Sequence, residues 1–151
     1  MVGKIKIMIL HKTILILEDD LRTLSKILEK LSTLEDDQPY QFSTIVLTNH
    51  IQVTEYINNN SKVNFDMVLL DRDCKLGGSF HIADLERIGV EKVIAISSVP
   101  KWNDEARKRG VKRVVQKDYK NLDTFADAVR IEIDNLLREL PPVESNCHQI
   151  T

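Results

Sequence analysis

Four short apolar runs, each closing on a charged or hydroxyl residue, constrain this chain more than any other feature. They are residues 13–17 before Glu18, Asp19 and Asp20; residues 67–70 before Asp71, Arg72 and Asp73; residues 93–96 before Ser97 and Ser98; and residues 114–116 before Lys117. Near-continuous apolar runs of this length read as strands buried on both faces, which is how parallel sheets are built. If the four runs are neighbouring parallel strands, their carboxyl ends form one crevice, where open α/β sheets place ligands. That crevice gathers carboxylates, a hydroxyl and an ammonium. Carboxylates held that close repel unless a cation joins them, so the pattern implies a hard divalent ion and an anion near the lysine.

Helical patterns lie between the runs. Leu21, Leu24, Ile27, Leu28, Leu31 and Leu34 share one face, with Asp20 or a neighbour as cap. Residues 42–47 form a second strand, and Thr48 is placed to cap a helix containing Ile51, Val53 and Ile57. A third helix is predicted over residues 80–88, ending at Gly89, and a fourth over 103–109, ending at Gly110. Both glycines sit where a left-handed cap is favoured. A last helix over 122–140 places Phe125, Ala128, Val129, Ile131, Ile133 and Leu136 at helical spacing before Pro141 and Pro142 end it. Alternating β and α elements give a parallel sheet covered on both faces.

The order of an acid pair, an aspartate, a serine and a lysine, each at a strand end, resembles the receiver domain of two-component response regulators. Residues 14–20 are similar to that family's first strand and acid pair. Residues 66–71 match its third strand, and residues 93–98 and 114–117 resemble its fourth and fifth. The resemblance covers residues 12–140. It implies a doubly wound five-stranded parallel sheet with strand order 2-1-3-4-5 and helices on both faces. It also implies a stand-alone receiver that accepts a phosphoryl group on Asp71 from a histidine kinase or histidine phosphotransfer protein and signals through protein contacts. Under it, Glu18, Asp19, Asp71 and the main-chain carbonyl of Asp73 hold Mg²⁺, while Lys117 and Ser97 contact the phosphoryl oxygens. Distance from the strand favours Glu18/Asp19 over Asp19/Asp20 as the acid pair. Such a protein turns over no outside substrate; its chemistry is self-phosphorylation and autodephosphorylation.

The chain departs from the family pattern in several places. Cys74 and Lys75 follow the Asp71 loop where receivers carry Met-Pro, and Asp118 rather than proline follows Lys117. A cis bond after Lys117 would cost ~3–4 kcal/mol without proline, which favours trans. Val114 stands where receivers place an aromatic switch residue, and it reads as core. These departures motivate a second reading, a degenerate receiver used only for binding. A third, a haloacid-dehalogenase-like phosphatase, rests on Asp71-Arg72-Asp73 as an Asp-x-Asp motif. The acid pair preceding that motif argues against it.

With 151 residues the chain fits one domain with a sizeable core. We divide it into an extension or edge strand (1–11), the receiver-like domain (12–140) and a polar tail (141–151). Two readings of the start stay open: Met8 begins the protein, or residues 5–10 add an edge strand. Lys+Arg 21 against Asp+Glu 23 gives no global bias towards nucleic acid, and none is expected as a partner. Charges interrupt the apolar start too often for a signal peptide, and no stretch approaches the ~20 apolar residues of a membrane span. Cys74 and Cys147 lack metal spacing and read as reduced thiols, so a cytoplasmic protein without membrane contact is expected. A homodimer stays open. The basic residues Lys101, Arg107, Lys108, Arg109, Lys112 and Arg113 suit an acidic partner or a solvated face equally well, and Trp102 beside them reads as either a sensor or a packing residue.

Overall fold

The computed structural model describes residues 7–60, 64–75, 77–139 and 147–150. Its sheet runs β2-β1-β3-β4-β5, with β1 (Ile7–Leu17), β2 (Tyr40–Leu47), β3 (Met67–Leu70), β4 (Val93–Ser97) and β5 (Arg113–Gln116) all parallel. The apolar runs explain this order. Every residue of β3 and β4 is buried, whereas β2 at one edge is buried only at its two ends, Tyr40 and Leu47, and β5 at the other is only partly covered.

Successive residues of each central strand feed opposite layers. Ile14, Ile16, Met67, Leu69, Ile94 and Ile96 pack against α1 (Leu21–Asp37) and α5 (Leu122–Glu139). Leu15, Leu17, Val68, Leu70 and Ala95 pack in the other layer with Val53, Ile57, Phe80 and Ala106. These last come from α2 (His50–Val53), which continues as a π turn to Asn58, from a 3₁₀ turn at Phe80–Ile82, and from α4 (Pro100–Lys108). Asp66 opens β3 by accepting from Thr13 N at 2.7 Å, which sets the register Ile14↔Met67 and hence Leu17↔Leu70.

Several sequence expectations change. The predicted helix over 80–88 is broken: after the 3₁₀ turn, Ala83 is non-helical and Asp84 caps a separate α3 (Leu85–Ile88). An aspartate competes with its own helix by bonding the N–H three residues on, here Arg87 N at 3.2 Å. Asn49, not Thr48, caps α2, accepting from Gln52 N at 2.9 Å. Leu21, Leu28, Ile51 and Ile131 are exposed, at the margins of their helical faces. Gly89 and Gly110 do take positive φ, +99° and +100°, as their placement predicted.

A sixth strand, β6 (Cys147–Ile150), lies in what reads as a polar tail and pairs antiparallel with residues 7–10 of β1. β3 meets β1 only from Ile14 onward, so the start of β1 presents unpaired backbone groups that need a partner. Residues 7–11 therefore continue β1 rather than forming a separate element. The expected helix stop at Pro141 and Pro142 falls outside the described residues.

Candidate functional site

The strand ends converge as their registers require. Lys117 N donates to Ser97 O at 2.9 Å and Asp71 N to Leu17 O at 3.0 Å, carrying the hydrogen-bond ladder one residue past each strand. This brings Glu18, Asp71, Ser97 and Lys117 together, all at or below 7 % exposure. Lys117 Nζ lies 2.6 Å from Glu18 Oε2 and 3.2 Å from Asp71 Oδ2. Glu18, Asp19 and Asp71 can each offer an oxygen, with all three atoms within 4.8 Å of one another. Asp20 does not join them; it caps α1, accepting from Thr23 N at 2.9 Å and Thr23 Oγ1 at 2.6 Å.

The electrostatics follow from three carboxylates set against one buried ammonium. Burial first, and the Asp71 charge second, push the Glu18 carboxyl up to about 7, with Lys117 opposing. Asp71 is also raised by burial, against the pull of Lys117 and a hydrogen bond from Arg72 N. Burial alone would lower Lys117, but Glu18 and Asp71 outweigh it and hold the ammonium above its ordinary range. Negative charge in this crevice is thus only partly met, and the oxygen donors suit a hard divalent cation.

The remaining expected residues sit around this centre. Asp19 accepts a short hydrogen bond from Lys75 N, fastening the loop after Asp71 to the acid pair. The Asp73 carboxylate turns to Arg72 at 2.7 Å, and its backbone bridges to Ser79. Ser97 Oγ accepts from Val99 N at 3.2 Å. Lys117–Asp118 is trans, since no cis bond occurs among the described residues. Val114 packs against the core, as expected. Much of the basic stretch is occupied internally: Arg113 pairs with Glu132 and Glu139, Arg107 with Asp104, and Arg109 donates to His81 O and Ala83 O. The solvated-face reading fits these three better than an acidic docking site.

Three neighbours were not foreseen. Tyr119 places its hydroxyl 3.5 Å from Lys117 Nζ. Asn103, buried in α4, donates from Nδ2 to Ser97 O at 3.1 Å, the carbonyl that Lys117 N also bonds. Arg72 stacks on Trp102, with Cζ 3.6 Å from the ring centroid. A lone Tyr, Asn or Arg carries no spacing signal, so these emerge only from the packing. Cys74 is free and buried, and burial with the nearby Asp19 pushes its thiol up to about 11, which makes it unreactive. A 590 Å³ cleft lined by Ile45, Leu47, Tyr56 and Phe65 shares none of the acidic residues.

His81, beside this loop, yields a pH prediction. Burial, then Arg109 and Arg72, lower its imidazole to about 4, with Asp73 opposing. The unfolded chain takes up this proton near 6.5 and the folded one only near 4. Stability from this group is therefore full above 6.5 and lost as pH falls towards 4. Discounted for partial exposure, the loss is about 1–2 kcal/mol. Urea unfolding at about pH 7 and about pH 4.5 should show His81→Gln losing less than wild type; equal losses would contradict the assignment.

No family model and no curated protein matches the chain. Solved structures do. The phosphorylated cyanobacterial phytochrome response regulator RcpA superposes with a TM-score of 0.63 at 16% identity, covering 87% of this chain and 98% of its own. The fold is that of response-regulator receivers. The Mn²⁺-bound response regulator Rcp1 gives a TM-score of 0.67 at 15% identity, over 87% of this chain and 99% of its own. The bacteriophytochrome response regulator AtBRR gives 0.52 at 21% identity, over 87% and 96%. The five-strand order 2-1-3-4-5 is the receiver order, with β6 added beside β1. No helix among the described residues is long and apolar enough to cross a membrane.

Proposed function

We propose that the protein is a stand-alone phospho-receiver that takes a phosphoryl group onto Asp71 from a histidine kinase or phosphotransfer protein and passes the signal on by protein contacts. The observation that carries this reading is the Lys117 ammonium held between Glu18 and Asp71 at the carboxyl ends of the strands. An Asp71 oxygen attacks the phosphorus of a phosphohistidine. The new O–P bond forms as the N–P bond breaks, and the electron pair leaves with the imidazole nitrogen, which takes a proton. Lys117 neutralises charge on the incoming oxygens, and the Ser97 hydroxyl, at the end of the neighbouring β4, would donate to one of them. Hydrolysis of the resulting acyl phosphate would return Asp71 to its carboxylate, so no outside substrate is turned over.

Glu18, Asp19 and Asp71, with the carbonyl of Asp73, are the residues that would hold Mg²⁺. When bound, Mg²⁺ supplies positive charge against the phosphoryl oxygens. That Rcp1 was solved with Mn²⁺ and RcpA phosphorylated supports both parts of the reading. Mg²⁺ at tenfold excess over its Kd should stabilise the fold by about 1.4 kcal/mol, or roughly 2–6 °C in Tm. Asp19→Asn should remove most of that rise; an undiminished rise would place the cation elsewhere.

An acyl phosphate is a mixed anhydride and is cleaved by hydroxylamine, whereas a serine ester is not. Label transferred from phosphohistidine donors should therefore be lost in neutral hydroxylamine. Stable label would move the site to a hydroxyl such as Ser97. The degenerate binding-module reading keeps one observation in its favour, Val114 packed against the core where a switch aromatic would stand, and predicts no label at all.

A further inference from the structure

Arg72 touches both ends of the path that a signal from Asp71 has to take. Its main-chain N–H donates to the Asp71 carboxylate. Its guanidinium lies over the ring of Trp102, in the first turn of α4. Strand alternation explains the split. Leu69 and Leu70 enter opposite layers, so Asp71 and Arg72 also diverge, and Arg72 turns towards the α4 side. Position 114 offers no aromatic ring to link the site to this face, since Val114 packs half-buried against the core.

The guanidinium is held incompletely. Its Nη1 pairs with the exposed Asp73 carboxylate at 2.7 Å, but Nε is buried without a hydrogen-bond partner. A buried donor left unpaired disfavours the present position relative to any neighbouring one that satisfies it. The stack on Trp102 and the exposed ion pair are both weak restraints. A small displacement of the 71–72 peptide is thus enough to move the guanidinium on the ring.

We propose that Arg72 transmits the charge state of Asp71 to α4 through its stack on Trp102. This rests on the phospho-receiver reading. When a phosphoryl group is added, the Asp71 carboxylate becomes a neutral acyl group and its charge moves out to the phosphoryl oxygens. The Arg72 N–H thus loses its charged acceptor, and the displaced negative charge draws the guanidinium from its present seat. Trp102 then loses the guanidinium from its face, keeping only the more distant Lys101 ammonium, and the first turn of α4 changes the face it presents. Arg72 is a positioning residue here, and its side chain takes no part in the transfer itself.

Trp102 is the single tryptophan of the sequence, so emission reports this ring's surroundings, which also include Lys101 Nζ at 5.0 Å, and the Arg72 variants isolate the Arg72 contribution. Wild type, Arg72→Ala and Arg72→Lys are treated with Mg²⁺ and acetyl phosphate, and each sample is both weighed intact and read for tryptophan emission. Wild type should gain phosphate with a shift in emission. Arg72→Ala should gain phosphate but lose most of the shift, and Arg72→Lys, which keeps the charge without the planar fork, should keep part of it. A full shift in phosphorylated Arg72→Ala overturns the proposal. If wild type gains no phosphate, the phospho-receiver reading fails, and the link is read from Asp71→Asn. That change should shift emission in the wild-type background and not in Arg72→Ala. Equal shifts in both backgrounds overturn the link independently of phosphorylation.

Discussion

Lys117→Met should cost the metal-free protein about 3–5 kcal/mol at pH 8, the loss that follows removal of one partner from a buried ion pair. The lysine is 2 % exposed, Glu18 is fully buried and Asp71 is 7 % exposed, so no water replaces the ammonium when it goes. Two carboxylates are then left facing each other in a dry crevice. They respond by binding protons. Because Glu18 already titrates near 7 with the lysine present, losing that opposing charge raises it further. The folded variant then holds protons that its unfolded chain releases above about pH 4.5, so its stability falls as pH rises through neutrality. The defect should be greatest at pH 8, shrink towards pH 5, and be partly relieved by Mg²⁺. Urea unfolding of both proteins at the two pH values checks this. A loss under about 1 kcal/mol at pH 8 would mean that Glu18 and Asp71 are solvated, and the charge arrangement described here would be wrong. Asp71→Asn should behave quite differently, since Glu18 keeps its lysine and one repulsive contact disappears. That variant should be as stable as wild type or slightly more so.

The sequence made the strands and their ends legible because residues buried on both faces leave a continuous apolar run, which few other structures produce. Once residues 67–70 and 93–96 are read as central strands, Asp71 and Ser97 have to lie at their carboxyl ends. The Asp20 cap and the positive φ of Gly110 were legible for equally local reasons. What was missed depends on contacts between distant segments. β6 has no periodicity of its own and forms because the start of β1 overhangs β3. The break at Ala83 follows from Asp84 capping a new helix, a competition that apolar spacing does not register. Within the candidate site, charge and strand position singled out Glu18, Asp19, Asp71 and Lys117. They did not reveal that Lys117 is already held by Glu18, nor that Arg72 reaches Trp102 and Asn103 reaches Ser97. Those contacts depend on where α4 lies across the sheet, and no single segment encodes that.

The central claim is that Asp71 is the phosphoryl acceptor, and its largest expected effect is all-or-none. Asp71 offers a carboxylate oxygen at the end of a fully buried strand, 3.2 Å from the Lys117 ammonium. Asparagine keeps the shape but replaces the nucleophilic oxygen with an amide, so phosphorylation should fall below detection while Lys117, Glu18 and Ser97 keep their places. Ser97 is the alternative acceptor, and it remains intact in that variant. The direct measurement is the intact mass of wild type and Asp71→Asn after equal exposure to Mg²⁺ and a small phosphodonor. The expected result is one added phosphoryl group on wild type and none on Asp71→Asn; equal phosphate on both, or none on wild type, would contradict it.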